Sequence, residues 1–579
     1  MSIRYFIFVG AEGATTDAGA QPLRIDGLHE VRLDSDGEAA RSMRIFASEE
    51  TPTLPVPGIG VLIGQVFRRD GTPVTDGRAL AQSIGDGQPE KVLLKDYWGE
   101  YILLHVSEGR SVGVLRDPSG AVPCVYLIRE GTGFITSSIS IAEHAKLYAR
   151  RVDWESMVHW LTYPYLRMQR TGLLDVRELL PGDALTLQGA SVTVRSAWSP
   201  WDHVAERRYA DGREAAADVR HVVSTAVKAW AEKDRSVLLE LSGGLDSSIV
   251  AACLRGVDAQ VACCTIMAPV PGTDERLYAK QMASYLGTEL QTVDISFQDA
   301  RFDFPVSPDA VLPGMGILHY AVDRAMDKAG AAHGAASYFS GGGGDSIFCY
   351  LKGASPAADA FKERGLAAAL TAIRELAALH QCTLWKAGRL TLKKLRRGAK
   401  APSKSERLFL NPGLGLPAME RHPWFDAPSD TLPGDREKVY DLIGSQSYRD
   451  GMLRTEHRPI RFPLLSQLVM ETCLRVPTWM WIAGGVNRSV ARTAFADCLP
   501  ADIRNRRSKG TYISYCGALY TRNKLGMLAF LANGKLRTRG LLDFPLLEKY
   551  IRADLAPEDL FFVRVFDLCM VENWLQRQT

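Results

Sequence analysis

The residues with the clearest chemical content are Ser242, Gly243 and Gly244, followed by Asp246 and Ser247, at the end of an apolar run at 237–241. The glycines let the backbone turn tightly with several N–H groups outward, and the helix that we expect from Ser247 adds its positive end. This pattern predicts an anion site suited to pyrophosphate. The lysine of a loop that transfers a γ-phosphate is missing, and Asp246 offers a carboxylate to Mg²⁺ instead.

A second glycine-rich stretch, SGGGGDSIF at 340–348, repeats this arrangement with Ser340, Gly341 and Asp345. One such loop alone could be a plain strand-to-helix turn, whereas two loops that each end in an aspartate favour a phosphate site. Two aspartates sharing Mg²⁺ would suit pyrophosphate release and adenylate formation. The predicted ligands are therefore ATP and Mg²⁺, with Asp246 and Asp345 on the metal and the nucleotide held by Ser242, Gly243, Gly244, Asp246, Ser247, Ser340 and Gly341.

Strand and helix patterns alternate around these loops. Apolar strand-like runs at 237–241, 261–267, 290–295 and 336–340 are separated by helical patterns from Ser247 and over 274–287. Such alternation predicts a parallel sheet with helices on both faces, and ligands bind at the carboxyl ends of its strands. Both glycine-rich loops follow strands, so we expect them to meet there.

The rest of the chain divides into two predicted domains, 1–205 and 206–579. The first reads as a β-rich sandwich with short runs such as RYFIFVG and YILLHV between turns, and GIGVLIG at 58–64 reads as a strand edge. From Asp211 the spacing changes to that of a helix, with one apolar face formed by Ala215, Val219, Val222, Val223, Ala226, Val227 and Trp230. Beyond about residue 350 the chain reads as mostly helical.

Composition describes a soluble globular protein. The 579 residues carry a net charge of +3 and 46% apolar residues, which gives no overall argument for nucleic acid or membrane binding. The ten cysteines lack zinc-type spacing and read as free thiols, and no targeting segment is recognisable, so we expect a cytoplasmic protein.

Many ordered motifs resemble the asparagine synthetase superfamily of ATP-pyrophosphatases, over nearly the whole length. The C-terminal matches are 241–248, 273–287, 340–348, 461–477, 487–510 and 568–575, and those at 114–127, 134–138 and 171–183 resemble the family's amidotransferase domain. The resemblance implies a mixed α/β and α+β protein. It would join an N-terminal β-rich sandwich resembling a glutamine amidotransferase domain to a C-terminal PP-loop ATP-pyrophosphatase domain with a parallel sheet and a helical extension.

Departures from the family pattern indicate which subgroup of the family the chain resembles most. Glutamine-using members need a cysteine after the initiator Met, and Ser2 stands there, so we expect no ammonia release from glutamine. Gly342 replaces the glutamate of asparagine synthetases and the tyrosine of β-lactam synthetases, and a small residue there is expected to leave room for something bulkier. With PLLSQ at 463–467 and RRSKG at 506–510, the chain looks most like the cyclases that close lasso peptides.

The lasso cyclase resemblance implies a ligase that adenylates an Asp or Glu side chain of a precursor peptide. The N-terminal amine of the peptide then displaces AMP and closes a macrolactam. Lys509 matches a family lysine that stabilises developing negative charge, and it joins Asp246 and Asp345 as a predicted catalytic residue. The implied partners are the precursor (lasso core) peptide, a leader peptidase and a leader-binding protein, without nucleic acid or membrane.

Several points stay open from the sequence. His319 and Tyr320 are candidates for the base that activates the amine, although His319 also fits a structural histidine. Glu240 would touch ribose or substrate, or pair with an arginine. A basic stretch from Lys386 to Lys404 reads as a solvated helix and linker or as a docking surface. The alternative functions are a β-lactam synthetase-like ligase for a small molecule and a nucleotide-binding scaffold without catalysis.

Overall fold

The structure is a computed structural model that describes residues 3–10, 24–33, 43–107, 111–206, 208–314, 317–350, 352–399, 403–446, 452–507, 512–556 and 558–578. Two antiparallel sheets of six strands form its N-terminal part. The first has the order β10-β8-β9-β1-β3-β2, from β1 Tyr5–Val9, β2 His29–Val31, β3 Met43–Ala47, β8 Val125–Arg129, β9 Thr132–Thr136 and β10 Arg177–Glu178. The second has the order β12-β11-β7-β6-β5-β4, from β4 Thr53–Val56, β5 Gly60–Arg68, β6 Tyr97–Ser107, β7 Ser111–Arg116, β11 Asp183–Gln188 and β12 Ser191–Ser196.

Strict alternation along the strands makes these two sheets a sandwich, as predicted. Tyr5 and Ile7 face the second sheet and share one core with its Ile63 and Ile102. Their neighbour Phe6 points to the opposite face of β1 and stacks on Phe134 of β9. The predicted strand edge at 58–64 is corrected, because β5 pairs with β4 on one side and β6 on the other.

Among the described residues, five helices accompany the sandwich: α1 Gly77–Ile84, α2 Pro89–Asp96, α3 Ile139–His144, α4 Trp154–Thr162 and α5 Pro200–Ala205. Asp76 begins α1 and Asp153 begins α4, each accepting hydrogen bonds from N–H groups of the first turn. Helices α1 and α2 cover the outer face of the second sheet, where Leu62, Leu103 and Leu115 form a separate small core with Leu80 and Leu93.

The C-terminal part is built on a parallel five-stranded sheet of order β15-β14-β13-β16-β17. Its strands are β13 Ser236–Glu240, β14 Gln260–Met267, β15 Leu290–Asp294, β16 Ser337–Phe339 and β17 Ile460–Arg461. The first four lie within a residue or two of the predicted runs. A hairpin of β18 Ile482–Ala483 and β19 Val486–Asn487 completes the strands of the described residues.

Helices of 4 to 23 residues cover this sheet and extend beyond it. They are α6 Gly212–Asp234, α7 Leu245–Leu254, α8 Arg276–Leu286, α9 Ile317–Ala332, α10 Gly344–Ile347, α11 Ser355–Arg364, α12 Leu366–Leu379, α13 Leu384–Arg397, α14 Pro433–Gln446, α15 Gln467–Leu474, α16 Ser489–Ala494, α17 Ala501–Arg504, α18 Ile513–Ala532, α19 Lys535–Thr538, α20 Phe544–Arg552 and α21 Phe562–Gln576. Short 3₁₀ turns lie at Pro423–Phe425, Leu453–Glu456, Pro463–Leu465 and Thr478–Trp481. All seven residues of the predicted apolar face on α6 are buried, and the chain beyond 350 is mostly helical, as predicted.

The N-terminal and C-terminal parts share two hydrophobic cores. In one, Phe67 and Trp98 of the sandwich pack against Trp230 of α6. In the other, Phe6 and Phe134 belong to the same cluster as Trp574 of α21. All ten cysteines are free thiols, as predicted. Among the described residues, no helix combines the length and apolar character needed to cross a membrane.

Candidate active site

The two glycine-rich loops lie side by side at the carboxyl edge of the parallel sheet. Strand β13 pairs with β14 on one side and with β16 on the other. The chain runs outward from β13 to β14 and β15, and then returns to place β16 on the opposite side of β13. The loops after β13 and β16 therefore flank the point where the strand order reverses, which is where open α/β sheets bind ligands.

The first loop is fixed by its own polar groups. Ser242 Oγ lies 3.0 Å from Ser247 Oγ and accepts a hydrogen bond of 3.3 Å from the Gly244 N–H group. Gly243 has φ +66°, and a Cβ there would approach the Cβ of Tyr278 to 2.4 Å, so only glycine fits. Helix α7 begins directly afterwards at Leu245, and its buried first turn carries Asp246 and Ser247.

The second loop closes against the first, as predicted from their positions in the sequence. A Cβ on Gly341 would lie 2.5 Å from the backbone nitrogen of Ser247. Ser340 Oγ accepts a hydrogen bond of 3.2 Å from the Gly342 N–H group, which ties this loop as Ser242 ties the first. Of the seven predicted nucleotide-binding residues, all but Gly243 line one common cavity.

Arg488 joins the two aspartates that end these loops. Its Nη1 donates to both carboxylate oxygens of Asp246 at 3.0 Å and to Oδ1 of Asp345 at 2.7 Å. Arg488 has φ +54°, a left-handed conformation that costs a non-glycine residue free energy. Its guanidinium lies 5.1 Å from the centre of the Tyr350 ring. One positive charge therefore stands between two carboxylates that the sequence predicts as metal ligands.

The donor set fits Mg²⁺ bound together with a nucleotide. Mg²⁺ usually takes one or two carboxylates and completes its shell with phosphate oxygens and water. Asp246 and Asp345 supply two such carboxylates beside the loop amides. No group of three or more His, Cys, Asp or Glu side chains suited to a metal occurs among the described residues. Arg488 Nη1 contacts the carboxylate oxygens that the ion would use.

Arg506 clamps the first loop from the outside. It donates to the Gly243 carbonyl at 3.2 Å and to Glu275 Oε1 at 2.6 Å, and its guanidinium lies 4.0 Å from the centre of the Tyr278 ring. Arg492 in turn donates to the Arg506 carbonyl at 3.1 Å. The segment that leads to Lys509 is therefore anchored on the first glycine-rich loop, although Lys509 itself lies outside the described residues.

A cavity of about 370 Å³ opens between the two loops, with Phe462 and Tyr512 on its wall. The expectation that Gly342 leaves room for something bulkier is wrong, because a Cβ there would lie 2.6 Å from the Phe462 ring. Phe462 follows β17 directly and is buried. Its ring occupies the space beside Gly342.

Glu240 takes one of the roles left open by the sequence, the pairing with an arginine. It lies on the cavity wall and forms an ion pair with Arg454. Arg454 is buried and also pairs through Nε with Asp323 at 3.2 Å. Burial raises the pKa of Asp323 to about 7, against the opposing effect of Arg454. One guanidinium thus serves two carboxylates, of which only Glu240 lines the cavity.

The two candidate bases lie on α9. The Tyr320 ring is buried and stacks on Phe304 at 5.9 Å, within the core shared with α21. It is absent from the residues that line the cavity. The side chain of His319, like Ser2, lies outside the part of the chain that the structure describes.

Sequence reasoning missed Arg488 and Arg506 as site residues. Both lie within the stretch 487–510 that carried the resemblance, but no spacing rule pointed to them. A basic residue in a segment that must return to two adjacent aspartates was the available signal. Their positions depend on how α16 packs on α6 and α17 on α7.

The basic stretch forms helix α13 and stays largely at the surface. Lys386, Arg389, Lys393, Arg396 and Arg397 are exposed, and Trp385 is 81% exposed. Lys394 differs, because it pairs with Glu437. No described residue of this stretch lines the site cavity.

A family comparison identifies the class of protein. Residues 218–576 match the model of the asparagine synthase family, which is more than half of the chain. The chain belongs to the asparagine synthase family. The predicted membership of the asparagine synthetase superfamily is thereby confirmed, and both glycine-rich loops, Arg488 and Arg506 lie within the matched residues. Asparagine synthases are ATP-dependent ligases that form an amide bond.

One relative and two solved structures complete the comparison. This asparagine synthase family member is 30% identical over 144 residues to asparagine synthetase [glutamine-hydrolyzing] 3 of Bacillus subtilis (strain 168), which covers 24% of the chain and 23% of that enzyme. An allosteric regulatory enzyme of purine biosynthesis is 10% identical, with TM-score 0.20 and coverage of 51% and 74%. The glutamine phosphoribosylpyrophosphate amidotransferase of B. subtilis is 10% identical, with TM-score 0.19 and coverage of 50% and 59%. Structural likeness this weak carries no functional information.

Proposed function

We propose that the protein is an ATP-dependent ligase that closes a macrolactam in a lasso precursor peptide. It would adenylate an Asp or Glu side chain of the peptide, and the N-terminal amine of the same peptide would displace AMP. The observation that carries the adenylation step is the pairing of two glycine-rich loops whose aspartates meet at one guanidinium. Family membership supports the reaction class, and the departures at Ser2 and PLLSQ support the peptide substrate.

The chain supplies the groups that adenylation needs. Amides of the two loops and the N-terminus of α7 would hold the phosphates, with Ser242, Ser247 and Ser340 as hydroxyl donors. Mg²⁺, bound by Asp246 and Asp345, would neutralise charge on the phosphates as pyrophosphate leaves. Arg488 would then exchange its carboxylates for phosphate oxygens. Lys509 would add positive charge at the same end.

The space beside the loops suits a substrate larger than an amino acid. A second cavity of about 200 Å³ lies between the sandwich and residues 307–314, and Met452 lines both cavities. Trp160, Tyr165 and Leu312 give this second cavity a largely apolar wall. Side chains of a folded peptide could enter it while the acceptor carboxyl reaches the loops, and holding amine and acyl group together would supply much of the rate.

The test measures AMP and pyrophosphate formed from ATP and Mg²⁺ with free aspartate, glutamine, and Gly-initiated peptides that carry Asp or Glu seven to nine residues in. We expect peptide-dependent AMP and loss of one water from the peptide mass. Asp345→Ala should abolish both, whereas Asp258→Ala, an exposed aspartate at a distant turn, should not.

Other outcomes identify the alternatives. AMP formed only with amino acids would indicate a small-molecule amide synthetase such as a β-lactam synthetase. Tight ATP binding without AMP from any substrate, even with the leader peptidase and the leader-binding protein added, would indicate a nucleotide-binding scaffold.

A further inference from the structure

Amide formation from an acyl-adenylate needs a proton acceptor near the attacking amine. When the amine nitrogen bonds to the carbonyl carbon it becomes strongly acidic, and its proton must leave before the C–O bond to AMP breaks productively. A positioned base typically contributes a factor of about 10²–10⁴ to such a step. The position that bears the glutamate or tyrosine helper in related enzymes is Gly342 here, backed by the Phe462 ring.

The described residues that line the cavity offer few candidates for this base. Asp246 and Asp345 are both held by Arg488, on the side of the phosphates. Glu275 is held by Arg506, which also holds the phosphate loop. Burial raises the pKa of both Tyr512 and Cys264 to about 12, so neither is a base at neutral pH. Glu240 is the remaining acid on this wall.

We propose that Glu240 is the general base that accepts the amine proton as the amide bond forms. This role rests on the proposed function and names a catalytic residue for it. The amine nitrogen bonds to the acyl carbon, the C–O bond to AMP breaks, and the proton passes from nitrogen to the Glu240 carboxylate. AMP leaves with the bonding electron pair.

Glu240 is better placed to act as a base than a carboxylate held in an isolated ion pair. Its Oε1 faces Arg454, while the side chain as a whole remains 21% exposed on the cavity wall. Arg454 is also 3.2 Å from Asp323, whose carboxyl accepts a hydrogen bond from the Leu453 N–H group at 2.7 Å. Arg454 therefore keeps a second carboxyl group, that of Asp323, at 3.2 Å when a proton arrives on Glu240. Cys264 and Tyr512 also face Glu240, and both stay neutral near pH 7.

The experiment separates adenylation from amide closure in Glu240→Gln. Hydroxylamine intercepts an acyl-adenylate and needs no base from the protein, so the hydroxamate reports adenylation, while the cyclic product reports closure. With a peptide that the wild type cyclises, we expect hydroxamate formation within about twofold of wild type and closure at least about a hundredfold slower. Residual closure should rise with pH, because more of the peptide amine is then deprotonated.

Two further variants serve as controls. Glu240→Asp keeps a carboxylate and should retain part of the closure rate. Glu275→Gln changes the other glutamate on the wall and should affect adenylation and closure equally, because it acts through the phosphate loop.

Each remaining outcome has a definite meaning. Equal loss of hydroxamate and cyclic product in Glu240→Gln would overturn the proposal and indicate a role in nucleotide binding or folding. An unchanged closure rate would overturn the proposal as well, because the reaction would then not need this carboxylate. A wild-type protein that cyclises no peptide would instead overturn the proposed function itself, and the base role with it.

Discussion

At the scale of single residues, the site depends on charges that compensate each other. The single positive charge of Arg488 pairs with two carboxylates. Its left-handed backbone shows that the fold tolerates strain to hold it there. Neither feature follows from local sequence preference. The arrangement keeps two like charges side by side at the place proposed for the nucleotide and its cation.

Replacing Arg488 should therefore make stability depend on Mg²⁺. We expect Arg488→Gln to lower the free energy of unfolding by about 1–3 kcal/mol without metal, because each of two carboxylates loses a charged donor. Added Mg²⁺ should recover more stability in this variant than in wild type, since it binds the folded carboxylates. Thermal unfolding with and without Mg²⁺ measures this. Arg220→Gln, at the exposed pair with Asp497, is the control, and equal Mg²⁺ responses in both variants would contradict the prediction.

At the scale of elements, the strand order matters more than any one strand. The sequence predicted the alternation of strands and helices and the meeting of the two loops, because hydrophobic period and Gly-Asp punctuation are local signals. It could not predict that β17 would add to the edge beside β16 and bring Phe462 against Gly342, since a two-residue strand has no period. The error at Gly342 has this cause.

Asp323 of helix α9 accepts a hydrogen bond from the Leu453 N–H group of the turn at Leu453–Glu456, and its protonation depends on pH. Burial raises the pKa of Asp323 to about 7 from its ordinary value of 3.8. The folded protein therefore holds this proton more tightly than the unfolded chain, so Asp323 favours folding at low pH. That contribution is present below about pH 4 and is lost as the pH rises to about 7.

Asp323→Asn should remove this pH dependence. Between pH 5 and pH 8, wild type should lose unfolding free energy relative to Asp323→Asn, as measured by urea titration at each pH. Asp258→Asn, an exposed aspartate, should follow wild type at both values. Parallel behaviour of wild type and Asp323→Asn would show that Asp323 is already ionised at pH 5.

At the scale of the whole molecule, the sandwich and the parallel sheet are joined by burial and by charge. Arg461 at the end of β17 pairs with Asp234 of α6 at 2.9 Å and with Glu100 of β6. Arg69 likewise pairs with Glu471 of α15. Together with the two shared cores, these contacts make the N-terminal part a structural support for the site.

Residues 206–579 alone should consequently fold poorly. Without 1–205, Trp230 and Trp574 lose apolar neighbours, and Arg461 loses one of its partners. We expect low soluble yield and light scattering on heating, compared with the full chain.

A protease site inserted near Glu206 provides the control. The cut halves should remain together on size exclusion with unchanged thermal unfolding. A soluble 206–579 fragment that unfolds like the full chain would contradict this account.

The sequence by itself determined the fold class and the family, and it predicted a set of nucleotide-binding residues. These depend on local signals: hydrophobic period, paired glycines, and an aspartate at a fixed distance from each loop. Only the tertiary structure decided which charges face each other. Arg488 lies more than a hundred residues from Asp246 and Asp345 in sequence, and Arg454 as far from Glu240 and Asp323. Such pairs form because a buried charge without a partner costs free energy. The packing of the chain around the sheet decides which oppositely charged residue is near enough to pair.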